Sequence, residues 1–431
     1  MSLTLNYALL VLQAALLVSV VTFELLRRRN LVAVLLFLAL LIVVEPQAWF
    51  VLGALQAGGP ARFFDNLITF DGFSLANVVL TLSLLTTIAV YAFGRQAKVM
   101  ALPAVRPGLP ETRVSYIAVI LLTLAAAVLL VRLLGGVRNL THALGIMKGG
   151  QVFFVTGIML GKMPLLYKLA YRRTAGFRDW ALYAGAVFLV LLNSRGTAVY
   201  ALAQLLIVYH YCVRRLLPRQ LIAFGVAVMV MVIGYGSVRT YASLHGQFSA
   251  AALGEYYAHF HPVENFFHLQ VGVFSGLAGI ISAYLESGIT YDFGVYNLLV
   301  VTHLIPNALR IAGLGDVERW LAASYPYHGS VVPGGYEAAF AHFGFLGVFL
   351  LSIALGILPT WLHNKLASPD RDRLQYAILS IYILNLVMGA VWLALAFAIP
   401  DLALLAVYRL ILVIGARRLS GPQPAVLTTG A

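Results

Sequence analysis

Val114-Ser-Tyr-Ile-Ala-Val-Ile-Leu-Leu-Thr-Leu-Ala-Ala-Ala-Val-Leu-Leu-Val-Arg-Leu-Leu134 is a run of 21 residues with one charge, Arg132. A helix needs roughly 20 apolar residues to cross a hydrocarbon core of about 30 Å, so this stretch is long enough to span a bilayer. Similar runs recur in both directions, near 6–26, 31–54, 73–94, 152–170, 180–194, 197–213, 220–237, 341–362, 374–393 and 400–416. The sequence therefore predicts an all-α polytopic membrane protein with about 11 transmembrane helices. Composition agrees: 61% of the 431 residues are hydrophobic and 10% charged, a balance that would leave a water-soluble domain with large exposed apolar patches.

The formal charge of +13 is divided among short clusters between the apolar runs, which argues for topology and against nucleic acid. Arg27–Arg29, Arg95/Lys98/Arg106/Arg113, Arg172/Arg173/Arg178, Arg214/Arg215/Arg219, Lys365/Arg371/Arg373 and Arg417/Arg418 all fall on one side if every run spans. The positive-inside rule makes that side cytoplasmic, with the N-terminus outside. The first apolar run precedes Arg27–Arg29 without a small-residue cleavage site, so it reads as a retained helix. Cys212 is the single cysteine, which excludes an intrachain disulfide. The organisation expected is a helix bundle over 1–237, a large external segment over 238–340, C-terminal membrane helices over 341–418 and a cytoplasmic tail over 419–431. Two apolar stretches in the external segment, 269–284 and 294–305, are short for spans and read as helices lying in the interface or packed on the bundle, with a hairpin dipping into the membrane as the alternative.

Polar chemistry gathers outside. Seven of ten histidines and seven of sixteen acidic residues lie in or just past the long segment. Arg195 and Arg239 stand at external helix mouths, where a guanidinium is costly unless an anion meets it or the side chain snorkels to the interface; a phosphate or pyrophosphate fits its planar fork of donors, and a snorkelling arginine marking a helix end is the alternative. Arg310 lies within the segment, with a surface ion pair as its ordinary role. The stretch Tyr325-Pro-Tyr-His-Gly-Ser-Val-Val-Pro-Gly-Gly-Tyr-Glu-Ala-Ala-Phe-Ala-His-Phe-Gly344 brings His328, Tyr336, Glu337 and His342 around a turn just before a membrane helix. Glu337 falls in the first turn of that helix, and His342 about one turn further. An imidazole such as His328 accepts a proton near neutral pH, which activating a hydroxyl requires. His259-Phe-His261 with His268 lacks zinc-site spacing and a thiolate partner, so no metal is expected. Asp370-Arg-Asp372 reads as a helix N-cap. The chain carries no Walker loop, Rossmann glycine pattern, nucleophile elbow or CxxC, and no cofactor is expected.

Asn193-Ser-Arg-Gly-Thr197 at an external bend, Arg239 after the next helix pair, Ile305-Pro306-Asn307 before a Gly/Pro-rich turn, and His328…Gly335-Tyr-Glu…Phe343-Gly-Phe-Leu-Gly347 leading into a helix follow one another in order. This order resembles the Wzy-type O-antigen and oligosaccharide repeat-unit polymerases. Phe23-Glu-Leu-Leu-Arg-Arg28 is similar to an early pattern of the enterobacterial common antigen branch. The resemblance implies a metal-independent GT-C-like glycosyltransferase of the bacterial inner membrane, with its active site facing the periplasm. Its substrates would be glycans on undecaprenyl pyrophosphate, used in lipopolysaccharide or exopolysaccharide synthesis. The growing chain would pass to the nonreducing end of the next lipid-linked repeat. Expected partners are the lipid-linked oligosaccharide, membrane lipid, a chain-length regulator and a flippase. His328 and Glu337 would be catalytic, Arg195, Arg239 and Arg310 would hold pyrophosphate, and Tyr336, His303 and His342 would contact glycan. The alternatives are an O-antigen ligase transferring to lipid A core and a flippase or transporter of lipid-linked oligosaccharide. A transporter calls for ionisable groups at mid-span, where Lys162 and Lys168 are the chief ones.

Overall fold

The computed structural model describes residues 2–28, 30–56, 61–63, 66–94, 108–133, 149–191, 195–227, 230, 273–298, 320, 334–368, 372–389 and 391–419. In chain order the helices are α1 (Leu3–Phe23), α2 (Leu31–Ala39), α3 (Glu45–Gln56), α4 (Phe70–Phe93), α5 (Arg113–Leu133), α6 (Gly149–Ile158), α7 (Met163–Arg172), α8 (Phe177–Leu191), α9 (Arg195–Val208), α10 (Val273–Ser287), α11 (Gly335–Ala367), α12 (Arg373–Met388) and α13 (Val391–Leu419). A further helical stretch covers 218–227. Between α3 and α4 the chain forms a small antiparallel hairpin, β1 (Ala61–Phe63) with β2 (Asn66–Ile68), pairing Ala61 with Ile68 and Phe63 with Asn66.

Seven helical segments among the described residues are long and apolar enough to cross a membrane: Leu3–Arg27, Leu31–Gln56, Phe70–Phe93, Arg113–Arg132, Gly196–Val213, Gly335–Ala367 and Ala394–Ala416. They coincide with seven of the runs read from sequence. Four others differ. The run 152–170 is two ten-residue helices, α6 and α7, joined by a 3-10 turn at Met159–Lys162, where Gly161 and Pro164 weaken a continuous α-helix. The runs 180–194 and 374–393 yield helices of 15 and 16 residues, α8 and α12. Most of 228–237 lies outside the described residues. A second departure from regular helix falls inside a span: α2 continues through a π-turn at Leu40–Val44 into α3. Pro46 has no N–H for the carbonyl one turn back, and the wider turn absorbs that missing bond.

The chain packs as two compact units, Met1–Pro103 with Ala203–Ile399, and Ala104–Leu202 with Pro400–Ala431. In the first unit α1 and α4 are joined by buried polar side chains. Asn6 Nδ2 donates to Ser74 Oγ at 2.9 Å, Gln13 Nε2 to Asn77 Oδ1 and Thr81 Oγ1 at 2.7 Å each, and Asn77 Nδ2 to Asn6 Oδ1 at 3.1 Å. Water-excluded helices associate through such bonds and close packing, because lipid supplies no hydrophobic drive between them. On its other side α4 meets α11, where Ser83 and Ser352 hydroxyls lie 2.5 Å apart and a Cβ on Gly356 would stand 2.8 Å from the Thr87 carbonyl. Helix α10 packs among its neighbours over its first ten residues, every one from Val273 to Ser282 being buried, and its end at Leu285–Ser287 is exposed. Small side chains permit this, since a Cβ on Gly276 would collide with Glu337, and Ser282 Oγ accepts from Thr69 N at 3.1 Å.

In the second unit charged groups are paired inside the packing. Lys162 Nζ lies 2.8 Å from both carboxylate oxygens of Asp401. Lys168 Nζ bridges Glu111 at 2.5 Å and Asp179 at 2.6 Å, and Tyr408 donates to Glu111 at 2.5 Å. Pairing offsets the desolvation cost of each buried charge.

Candidate acid and base site at the head of α11

The site is built in the first unit from the turn after α10 and the start of α11. Gly334 is the N-cap of α11, and its N–H donates to Glu337 Oε2 at 3.2 Å. This is the half of a capping box that a glycine cap allows, and it satisfies a helix-end donor while placing an acid in the first turn. Close approach fixes the helix start. A Cβ on Gly335 would sit 1.7 Å from the Leu386 carbonyl oxygen, and a Cβ on Gly334 would be 2.8 Å from Val273 Cα. Glu337 is fully buried against Gly276 of α10, and the Tyr336 ring is buried beside it.

Regular helix stops one turn later. Phe343 (φ −141°, ψ 17°) and Gly344 (φ 62°, ψ −144°) break α11, separating a short head, 335–342, from the membrane portion. The positive φ suits Gly344, where a Cβ would also meet Tyr291 Oη at 2.8 Å. The expected span therefore begins earlier than 341, but the break lies almost where that boundary was drawn.

His342 ends the head and is buried. Its Nδ1 is hydrogen-bonded to Asp292 Oδ1, and its Nε2 lies 3.1 Å from Asn297 Nδ2. Both partners come from one tight turn: Asp292 Oδ1 accepts from Gly294 N at 2.9 Å, Phe293 and Gly294 have φ of 49° and 85°, and a 3-10 turn follows at Val295–Leu298. With the Asn297 amide donating to Nε2, the imidazole proton sits on Nδ1 facing the carboxylate. Asp292 Oδ2 is buried without a hydrogen bond among the described residues. Tyr296 lies near two carboxyl groups, and burial first, then the charges of Glu337 and Asp292, push its hydroxyl up to about 12.

Aromatic rings surround this cluster. Phe293 and Phe343 are 70% and 44% exposed, with centroids 6.2 Å apart, and Phe340 packs edge-on against Tyr284 and Phe345. The arrangement supplies an imidazole that can take a proton at Nε2 when a hydroxyl displaces the Asn297 amide. A carboxylate orients it and stabilises the imidazolium that results. Phe293 and Phe343 offer exposed aromatic faces beside it.

Of the residues singled out in the sequence, Tyr336, Glu337 and His342 lie on the same helical head. Arg195 is the first residue of α9, with its side chain outside the described residues, and Arg239, His303, Arg310 and His328 also lie outside them. Sequence reasoning missed Asp292, Tyr296 and Asn297. The available signal was Asp292-Phe-Gly294, an Asp two residues before a glycine, which marks a turn closed by the aspartate side chain.

No protein-family model matches the chain, and no curated protein and no solved structure matches it.

Proposed function

We propose that this protein is a membrane glycosyltransferase that polymerises lipid-linked oligosaccharide repeat units on the periplasmic side of the bacterial inner membrane. The observation that carries the reading is the buried His342–Asp292–Asn297 cluster beneath exposed Phe293 and Phe343, at the head of a membrane helix. A helix mouth suits substrates whose lipid stays in the bilayer while their sugars project into water. The acceptor hydroxyl would form a bond to the anomeric carbon of the growing chain and pass its proton to an imidazole. The bond from that carbon to pyrophosphate breaks, and undecaprenyl pyrophosphate leaves with the electron pair. Preorganised positive groups stabilise such developing charge, the role given to Arg195, Arg239 and Arg310. Glu337, His328 and His342 are the groups suited to act as base. Glu337 is engaged in capping, and His342 is coupled to a carboxylate, so His342 takes precedence, with Asp292 as its positioning residue. Tyr336 and His303 are proposed near the glycan.

The test is reconstitution of purified protein with an undecaprenyl-pyrophosphate-linked repeat unit in the presence of a chelator, with products resolved by gel. Wild type is expected to give a ladder that His342→Ala, Arg195→Ala and Arg239→Ala lose. Transfer only to added lipid A core would replace this reading with that of a ligase.

A transporter is the second reading, favoured by a different observation. Glu45 is buried at the π-turn of the second span, its carboxyl oxygens without hydrogen bonds among the described residues, beside Pro46, Trp49 and Phe50. Ionisable groups inside spans often mark transport paths. Movement of the lipid-linked repeat across vesicles without glycan transfer would decide for it.

A further inference from the structure

The second unit holds an open cavity of about 890 Å³, formed where the chain enters α5 and where it passes from α7 to α8. Arg113, Lys168, Arg172 and Arg178 line it. Its base is fixed in advance. Lys168 is held between Glu111 and Asp179, Tyr408 donates to Glu111, and Asp179 Oδ2 also accepts from Gly176 N at 2.8 Å, closing the turn that begins α8. Glu111 and Asp179 are thus committed to Lys168 and to the scaffold, whereas Arg113, Arg172 and Arg178 are exposed at the cavity. Four cations against two carboxylates leave the lining positive. Apolar side chains stand beside these charges: Phe177 is 85% exposed and Ile117 is 55% exposed. In water such exposure would be unfavourable, but at a bilayer surface it meets acyl chain and headgroup boundary. The positive clusters at 113 and 172–178 belong to the side read as cytoplasmic, where anionic lipids attract basic residues.

We infer that this cavity binds the phosphate headgroup of an anionic phospholipid of the cytoplasmic leaflet, with Arg113, Arg172 and Arg178 as its ligands and Phe177 and Ile117 against the acyl chains. The site is separate from the cluster around His342 and does not depend on the enzymatic reading. Guanidinium groups bind phosphate oxygens in pairs, and the locked Lys168–Glu111–Asp179 base keeps the cavity from collapsing onto its own acids. A soluble phosphate would use the same arginines but gain nothing from Phe177 and Ile117.

Full-length protein, delipidated in neutral detergent, is titrated with phosphatidylglycerol or phosphatidylcholine, and bound lipid is counted by native mass spectrometry. Phosphatidylglycerol is expected to bind in preference to phosphatidylcholine. Each of Arg113→Gln, Arg172→Gln and Arg178→Gln should weaken it roughly fivefold, and R113K, R172K and R178K, which keep the charge but not the paired donors, should fall between the glutamine variants and wild type. Arg27→Gln, in a basic cluster of the other unit, should leave the count unchanged. Single variants and the triple are measured side by side, so loss of folding in the triple still leaves three independent readings. Equal binding of the two lipids, or full affinity in all three glutamine variants, overturns the site. Displacement of the lipid by an equal concentration of inorganic phosphate overturns the lipid assignment.

Discussion

His342 Nδ1 is hydrogen-bonded to Asp292 Oδ1 across a separation of 50 residues, which places imidazole and carboxylate on different elements at the point where α11 breaks. The pair gives the first prediction. Under the proposed polymerase function, His342→Ala should lower ladder formation about 10²- to 10⁴-fold, the usual contribution of a positioned acid or base. Asp292→Asn should lower it less, because the imidazole stays and loses only its orienting charge. Product ladders quantified over time measure both. Thermal unfolding separates loss of chemistry from loss of fold.

Tyr296 titrates outside the spans. Its hydroxyl is pushed up to about 12 in the folded protein, above the ordinary tyrosine value of 10.0. An acid whose folded value is raised is neutral in both states at low pH, and the unfolded state ionises first as pH rises. Its contribution to stability is therefore whole below pH 10 and declines toward pH 12. Tyr296→Phe should flatten the fall in melting temperature between about pH 10 and 12, the window these values define, relative to wild type.

Lys162 and Asp401 are a buried pair, and replacing either removes the opposite charge 2.8 Å from the other. Lys162→Met and Asp401→Leu should each destabilise the protein by about 3 to 5 kcal/mol, and the double variant by less than either alone. Unfolding in detergent by a double-mutant cycle measures the coupling.

Gly335 touches the Leu386 carbonyl where no Cβ can fit. Gly335→Ala should destabilise by about 1 to 3 kcal/mol through displacement of α12 from α11. Gly53, whose added Cβ meets nothing within 4 Å, is the control, and Gly53→Ala should be neutral or stabilising. Melting temperatures of the two variants decide.

Glu337 closes the helix start through Gly334 N. Glu337→Gln keeps an acceptor and should cost less stability than Glu337→Ala, whose lost cap is worth about 1 kcal/mol. If Glu337 also serves the reaction, Glu337→Gln will lose product while keeping its melting temperature.

Much of the helical ladder was legible in the sequence. Seven of the runs read as spans are helices of membrane length, because apolar composition over some 20 residues is a local property that lipid reads directly. The head of the site was partly legible: Gly334–Gly335 before Tyr336 and Glu337 announced a turn and a helix start. Less so were the interruptions. Hydropathy averages over Gly161 and Pro164, so 152–170 looked continuous, and it gave no sign of the π-turn before Glu45.

By itself, the sequence determined the apolar solvent of this protein and the positions of its longest apolar helices, since both follow from side chains near one another along the chain. Tertiary structure decided which polar groups meet. The burial of α10 depends on small residues fitting between α4 and α11, and Asp292 and Asn297 reach His342 only through a left-handed turn at Phe293–Gly294. Lys162 finds Asp401 across 239 positions. Such pairings are set by packing geometry between distant segments, and no periodicity or composition along the chain encodes them.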